Sequence, residues 1–134
     1  MMEILKWKTR IAVLWVFMAV AMSAHGLLMA MVPGGLEKAI SEVAAMGSGM
    51  LVFMALFWLV PLWLAFVSMT LKDSCNRWVN FVLGIIFTLL NIWHFIGHLA
   101  STVQILIIGS TVVVTALIAW YAWKWPKQEA RVIN

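Results

Sequence analysis

The side chains best suited to chemistry in this sequence are three histidines and several methionines placed at helical spacing. His94 and His98 are four residues apart, so their imidazoles project from one helix face and suit two ligands of one metal ion. Methionines flank His25 at steps of three and four, and a second series repeats every four residues: Met18, Met22 and Met29, then Met46, Met50 and Met54. Thioethers and imidazoles together favour Cu(I) over hard cations, so one hypothesis is a copper(I) site. Its candidate ligands are His25, His94, Met22 and Met50.

The same side chains allow two other interpretations. Two histidines on facing helices, such as His25 opposite His94, or a histidine and a methionine, also provide the axial ligands of a haem. Methionine is in addition a flexible filler of apolar cores, and histidines inside membranes often serve as hydrogen-bonding partners between helices. Copper, haem and a purely structural role therefore stay open on the sequence alone.

Further polar side chains share these apolar segments. The segment around His94 carries a stripe at alternating steps of four and three, which is one face of a helix: Asn80, Gly84, Phe87, Asn91, His94 and His98. Polar groups inside a membrane are costly and are candidates for function, so we expect one cluster that binds a ligand. Its candidate ligand-binding residues are His25, Asn91, His94, His98, Gln104 and Ser48.

The elements that position these side chains are predicted to be membrane-spanning helices. Of 134 residues, 65% are hydrophobic and 10% charged, whereas soluble domains are about half apolar and about a quarter charged. A span needs about 20 apolar residues, and four segments of one membrane domain over 1–134 meet that length: 11–32, 46–71, 78–98 and 102–125. The predicted fold class is all-α, an antiparallel four-helix transmembrane bundle.

Charge predicts the orientation of the spans. Eight of the nine Lys and Arg residues lie before the first span, between the second and third, or after the fourth: Lys6, Lys8, Arg10, Lys72, Arg77, Lys124, Lys127 and Arg131. Because cytoplasmic loops collect Lys and Arg, both termini of this multi-pass protein are predicted to lie on the cytoplasmic side of the inner (plasma) membrane. The basic residues thus orient the chain in a lipid bilayer, and no nucleic-acid partner is expected.

The first outer loop predicts a short interfacial helix. Between positions 34 and 43, apolar residues recur at helical spacing and charged residues fall off that stripe, which is typical of a helix lying on a membrane surface. The apolar positions are Leu36, Ile40 and Val43, and the charged ones are Glu37, Lys38 and Glu42.

Sequence motifs favour a protein that is not an enzyme. The chain has no nucleophile elbow, phosphate loop or HExxH motif. Its single cysteine, Cys75, excludes an internal disulfide and a CxxC motif. An acid/base pair of Glu37 or Glu42 with a histidine is the remaining catalytic option.

Four short boxes are distributed over most of the chain. They are Leu14-Trp15-Val16-Phe17, Pro33-Gly34, Asn76-Arg77-Trp78-Val79-Asn80 and Trp120-Tyr121-Ala122-Trp123-Lys124-Trp125. This pattern resembles an uncharacterised family of small bacterial four-helix integral membrane proteins, a domain of unknown function. The resemblance implies the four-helix architecture and implies no activity.

The sequence favours a non-enzymatic membrane protein with a polar, histidine-containing cavity open toward the outer face. This cavity would bind or conduct a small ligand or metal, and the hypothesis predicts that its polar residues converge: His25, Asn91, His94 and Gln104. A second hypothesis is a non-catalytic accessory subunit of a larger membrane complex, with Phe53, Phe57 and Trp58 as an exposed patch for a partner. A third is a small transporter working as a homodimer, because four spans are few for a carrier.

Overall fold

The computed structural model describes residues 2–99 and 101–126, and every regular element among them is a helix. The five helices in chain order are α1 (Met2–Met31), α2 (Gly35–Ala45), α3 (Ser48–Thr70), α4 (Asp73–Gly97) and α5 (Thr102–Trp123). The all-α prediction is confirmed for these residues. Lys127 and Arg131, both predicted to be cytoplasmic, lie outside the described residues.

Four of the five described helices are long and apolar enough to cross a membrane. Their most apolar 18-residue windows have mean hydropathies between 1.9 and 2.4, and the helices contain 22 to 30 residues. At about 1.5 Å per residue, each exceeds the roughly 30 Å thickness of the hydrocarbon core. The four predicted spans therefore correspond to α1, α3, α4 and α5, and they mark the chain as a membrane protein.

Two helices begin earlier than their predicted spans. α1 starts at Met2 rather than at position 11, and α4 starts at Asp73 rather than at position 78. Charged residues limit the apolar segment that crosses the membrane, but they do not end the helix. Their long Lys and Arg side chains reach toward the polar interface while the backbone stays helical. The acidic side chain of Asp73 lies in the first turn of α4, where it complements the positive end of the helix dipole.

Contacts between the long helices are uneven. α1 packs against both α3 and α5, and α4 packs most closely against α5. α3 and α4 touch far less, although Phe57 stacks on Phe87 and Ser68 bonds to Asn80 across them. A space is thus left between the first part of α3 and the last part of α4.

One end of the molecule, called the Asn end below, holds a buried polar network. Asn80 Oδ1 accepts hydrogen bonds from Trp15 Nε1 at 2.7 Å and from Ser68 Oγ at 3.0 Å. Asn80 Nδ2 donates to the carbonyl oxygen and to Oδ1 of Asn76, at 2.8 and 2.6 Å. Asn76 Nδ2 in turn donates to the Ser68 carbonyl at 2.6 Å. All four residues are fully buried, so the network joins α1, α3 and α4 without exposing a polar group.

α4 and α5 approach most closely at a glycine in the middle of the molecule. A Cβ atom at Gly84 would lie 2.9 Å from the backbone nitrogen of Ala119 and 3.1 Å from its Cα. No side chain fits at this position unless the two helices separate. This close approach explains why a glycine occupies the stripe that the sequence predicts on α4.

α2 is the short helix predicted after the first span. It follows Gly34, whose φ of 74° lies in the left-handed region that favours glycine. None of the residues of α2 is buried, and Leu36, Ile40 and Val43 of its predicted apolar stripe are all exposed. Its location on a membrane surface remains a prediction.

Candidate functional site

Three histidines meet away from the Asn network, at the part of the molecule called the His end below. His25 comes from α1, His94 comes from the last turn of α4, and His98 caps that helix. One ring nitrogen of each lies within 4.8 Å of the others. The rings of His94 and His98 stack with centroids 4.2 Å apart, and His25 stands edge-on to both at 5.5 and 5.7 Å. The pair on α4 and the single histidine of α1 thus form one cluster.

Two ring nitrogens of the cluster lack a hydrogen-bond partner among the described residues. His25 Nδ1 and His94 Nε2 are buried and have no hydrogen-bond partner among the described residues, and His25 is only 7% exposed. His98 Nδ1 lies 2.9 Å from the carbonyl oxygen of His94. Because a carbonyl only accepts, Nδ1 carries the hydrogen of that bond and Nε2 keeps its lone pair. Metal-binding imidazoles commonly use one nitrogen for the ion and the other for such a carbonyl.

Helical periodicity explains why these positions converge. The buried residues of α4 are spaced by four and three residues, and His94 and His98 continue the same series: Asn76, Asn80, Gly84, Phe87 and Asn91. The buried face of α1 likewise runs from Trp15 through Met18 and Met22 to His25. Both faces point to the interior of the molecule. α1 therefore places Trp15 at the Asn end and His25 at the His end. In the same way, α4 places Asn80 at the Asn end and His94 at the His end.

The histidines open into a cavity of about 710 Å³ between the helices. All five described helices contribute to its wall, which is mostly apolar. Five of the ten methionines of the chain line it: Met22, Met29, Met46, Met50 and Met54. Gln104 joins them from α5, and its Nε2 donates to Met29 Sδ at 2.8 Å. The cavity therefore combines imidazole nitrogens with thioether sulfurs.

An aromatic layer lies between the cavity and the Asn network. The ring of Phe87 stacks on Phe57 with centroids 5.4 Å apart and meets Trp15 edge-on at 5.3 Å. Trp15 and Met18 are fully buried in the same layer. The histidines are thus open toward the cavity on one side and face tightly packed side chains on the other.

Six of the eight predicted site residues line this cavity: His25, His94, His98, Gln104, Met22 and Met50. Asn91 does not; it is fully buried next to the cluster. Its Nδ2 donates to the Phe87 carbonyl at 2.8 Å, and its Oδ1 accepts from Thr111 Oγ1 at 3.0 Å. Ser48 is the first residue of α3 and is exposed outside the described lining. Asn91 is therefore a bonded neighbour of the cluster, and Ser48 is separate from it.

Among the other residues that line the cavity, three that were not among the predicted site residues bring a charged group or a buried polar atom to it: Trp58, Lys38 and Glu42. Trp58, named above as part of an exposed patch, lines it with a buried Nε1 that has no partner. It lies four residues beyond Met54, so extending the methionine series by one helical turn would have found it. Lys38 and Glu42 reach the cavity from α2, where their i,i+4 spacing brings Nζ and Oε1 within 3.8 Å. No pattern in the sequence shows that α2 folds toward this cavity.

Comparisons with protein-family models, with curated proteins and with solved structures find no match for this chain. The resemblance to small bacterial four-helix membrane proteins therefore remains a prediction. Any role of the cavity has to be inferred from its own geometry and chemistry.

Proposed function

We propose that this protein is a four-span membrane bundle that binds a transition-metal ion through His25, His94 and His98. The observation that carries this proposal is the meeting of three ring nitrogens within 4.8 Å, two of the imidazoles having a buried nitrogen without a partner. Buried polar atoms are normally hydrogen-bonded, because leaving one unsatisfied costs free energy. An ion that accepts a lone pair from each imidazole would remove that cost.

The spacing of the nitrogens suits a single ion after a small closure. Histidine nitrogens lie about 2.0–2.1 Å from a bound Zn²⁺, so three of them are separated by roughly 3.4 Å. Nitrogens that are already within 4.8 Å reach this separation when the rings rotate. Three protein ligands would leave one coordination position for a further ligand.

A single ion suits the cluster better than a haem. The axial ligands of a haem lie on opposite sides of the macrocycle, so a porphyrin bound between His25 and His94 would fill the space between their rings. His98 stacks on His94 and lies 5.7 Å from His25, which places a third ring beside that space. Three imidazoles converging on one point favour an ion.

Contacts along the helices support the antiparallel bundle. α1 and α4 run in the same direction, since Lys8 pairs with Asp73 at the Asn end and His25 meets His94 at the His end. α5 runs against α1, because the start of α5 bonds to the end of α1. Successive spans therefore alternate in direction, as short connections between neighbouring helices require.

The distribution of charge supports an outward-facing cavity. With the basic residues on the cytoplasmic side of a bacterial inner membrane, the His end faces outward and α2 lies on the outer surface beside the cavity. The layer of Trp15, Phe57 and Phe87 blocks the cavity toward the cytoplasm, which supports binding rather than conduction. The accessory subunit and the dimeric transporter remain alternative predictions.

The test is metal binding by the full chain purified in mild detergent. Elemental analysis after equilibration with Zn²⁺ or Cu(I) compares the wild type with a His25→Ala/His94→Ala variant. A Ser23→Ala/Thr88→Ala variant serves as the control, because both hydroxyls bond only to backbone carbonyls of their own helices. We expect about one equivalent of metal in the wild type and in the control, and none in the histidine variant. A wild type that binds neither metal, or a histidine variant that binds as well as the wild type, would contradict the proposal.

A further inference from the structure

Sulfur donors surround the proposed metal site on two walls. Met22 lies one turn before His25 on the buried face of α1, and Met29 lies one turn after it. On the facing wall, Met50 and Met54 of α3 also line the cavity. Methionine fills apolar gaps in many proteins, but these four share one cavity with all three histidines of the chain. An ion held by the histidines would therefore meet thioethers rather than water-like oxygen ligands.

The donors in this cavity carry no net negative charge. The only carboxylate among the described lining residues is that of Glu42, and Lys38 Nζ lies 3.8 Å from it. The single cysteine of the chain, Cys75, is exposed in the first turn of α4 and lies far along that helix from His94. Imidazoles and thioethers are neutral. They therefore donate lone pairs to a bound ion without neutralising its positive charge.

The neutral donor set favours ions that have a low charge and are soft. The free energy needed to transfer an ion from water into apolar surroundings rises with the square of its charge, so a site without anionic ligands disfavours divalent ions. Thioethers bind soft ions and compete poorly for hard ones. We propose, on the basis of the metal site proposed above, that the ion is Cu(I), and that the thioethers of Met22 and Met54 supply its fourth ligand in exchange with each other beside the three histidines.

The position of these two methionines suits that role. Met22 is almost completely buried on the same helix face as His25, one turn away from it, and it lines the same cavity. Met54 is half-buried on α3, with Met50 one turn nearer the start of that helix and more exposed. Met50, Met54 and Met22 therefore offer thioethers of decreasing exposure in the same cavity as the histidines. A Cu(I) ion could thus reach the site by exchange between soft neutral ligands.

The experiment measures affinity for Cu(I) and for Zn²⁺ in parallel on the full chain in detergent. Anaerobic titration against the coloured Cu(I)–bicinchoninate complex gives the first, and competition with a chromogenic chelator gives the second. A Met22→Leu/Met54→Leu variant removes the two sulfurs at nearly constant volume. A Met18→Leu/Met69→Leu variant makes the same changes on the same two helices outside the described cavity lining.

We expect the wild type to bind Cu(I) more tightly than Zn²⁺. The Met22→Leu/Met54→Leu variant should lose about 10- to 100-fold in Cu(I) affinity, the range known for changes around a metal ligand. Its Zn²⁺ affinity should change by less than about twofold, because thioethers contribute little to binding that ion. The Met18→Leu/Met69→Leu control should match the wild type for both metals. X-ray absorption of the Cu(I)-loaded wild type should show a sulfur shell, which also reports on the site if the variant is unstable.

Two other results are distinguishable from this one. Equal Cu(I) affinity in the wild type and in Met22→Leu/Met54→Leu, or nitrogen-only scattering from the wild type, would overturn the Cu(I)–thioether site while leaving the histidine metal site intact. Binding of neither metal by the wild type, or equal binding by His25→Ala/His94→Ala, would overturn the metal site itself.

Discussion

Two polar clusters lie among the same apolar helices, and they differ in how far their hydrogen bonds are satisfied. At the Asn end, both oxygen and nitrogen of the Asn80 side chain are bonded twice, to Trp15, Ser68 and Asn76. At the His end, His25 Nδ1 and His94 Nε2 are buried without a partner. Polar groups that hold a fold together are normally satisfied within it. The Asn end therefore has the features of a structural network, whereas the unsatisfied nitrogens at the His end are what the proposed metal site requires.

The two clusters also differ in the packing around them. At the Asn end, α3 meets α4 through the bond between Ser68 and Asn80, and both side chains are fully buried. At the His end, the same two helices stand apart around a cavity of about 710 Å³. A chain without a ligand gains dispersion and burial from closing such a space. The open His end therefore lacks packing contacts that the Asn end makes. Such a loss of packing is expected if the cavity leaves space for a ligand, as proposed.

The largest expected effect is a metal-dependent stabilisation confined to the His end. At a free metal concentration of about 1,000 times Kd, an ion that binds only the folded state raises the free energy of unfolding by about 4 kcal/mol. We expect the wild type and an Asn80→Leu variant to gain this amount, and His25→Ala/His94→Ala to gain none, since separate clusters act independently. Unfolding by SDS in mixed micelles, with and without metal, measures the gain. Stabilisation of the double histidine variant would show that the two clusters do not differ as proposed.

The next effect is the loss of stability when the Asn network is broken. Hydrogen bonds between helices inside membranes contribute about 0.6 kcal/mol each and at most about 1.7. Asn80→Leu removes two of them, from Trp15 and from Ser68, so it should lower the free energy of unfolding by roughly 1–3 kcal/mol. Thr88→Val is the control, because the Thr88 hydroxyl bonds only to the Gly84 carbonyl of its own helix. The same metal-free SDS unfolding measures both variants. Asn80→Leu stability equal to that of the control would mean that the network does not hold the Asn end together.

The helices and their buried faces could be predicted because hydropathy and helical spacing are local properties of a sequence. The predicted stripe on α4 contains Asn80, Gly84 and Asn91, and all three are buried. The spacing of His94 and His98 was enough to place both imidazoles on one side of that helix. α1 and α4 begin before the predicted spans, because charged residues mark the edge of the apolar core rather than the end of a helix.

The partner of each polar side chain could not be predicted in the same way. Asn91 and His94 share one face of α4, yet Asn91 bonds to Thr111 while His94 Nε2 stays unpaired. The difference arises because α5 packs closely against α4 while α3 stands away from it. Distances between helices depend on all their side chains together, as the close approach of Gly84 to Ala119 shows. A single sequence contains no local pattern for them.

A third effect concerns the close approach of α4 and α5, which lies between the two clusters. Gly84→Ala would place a Cβ atom 2.9 Å from the backbone nitrogen of Ala119, and separating the two helices to relieve this should cost about 1–3 kcal/mol of stability. Gly97→Ala is the control, since no atom of the described residues, apart from its chain neighbours and the backbone of its own helix, lies within 4 Å of its added Cβ. Metal affinity should fall together with stability in Gly84→Ala. Full stability with unchanged metal affinity would mean that neither cluster depends on this contact.

The smallest effect gives the sharpest contrast, because it compares two buried polar residues that lie close to each other. His25→Leu removes a ring nitrogen that has no partner, so the metal-free protein should keep its stability or gain up to about 1 kcal/mol. Asn91→Leu removes bonds to Thr111 and to the Phe87 carbonyl, so it should lose about 1 kcal/mol. Both are measured by SDS unfolding after the metal has been removed by chelation. Equal losses in the two variants would make His25 a structural residue like Asn91, whereas a loss in Asn91→Leu alone would identify the unpaired imidazole as a group kept for a ligand.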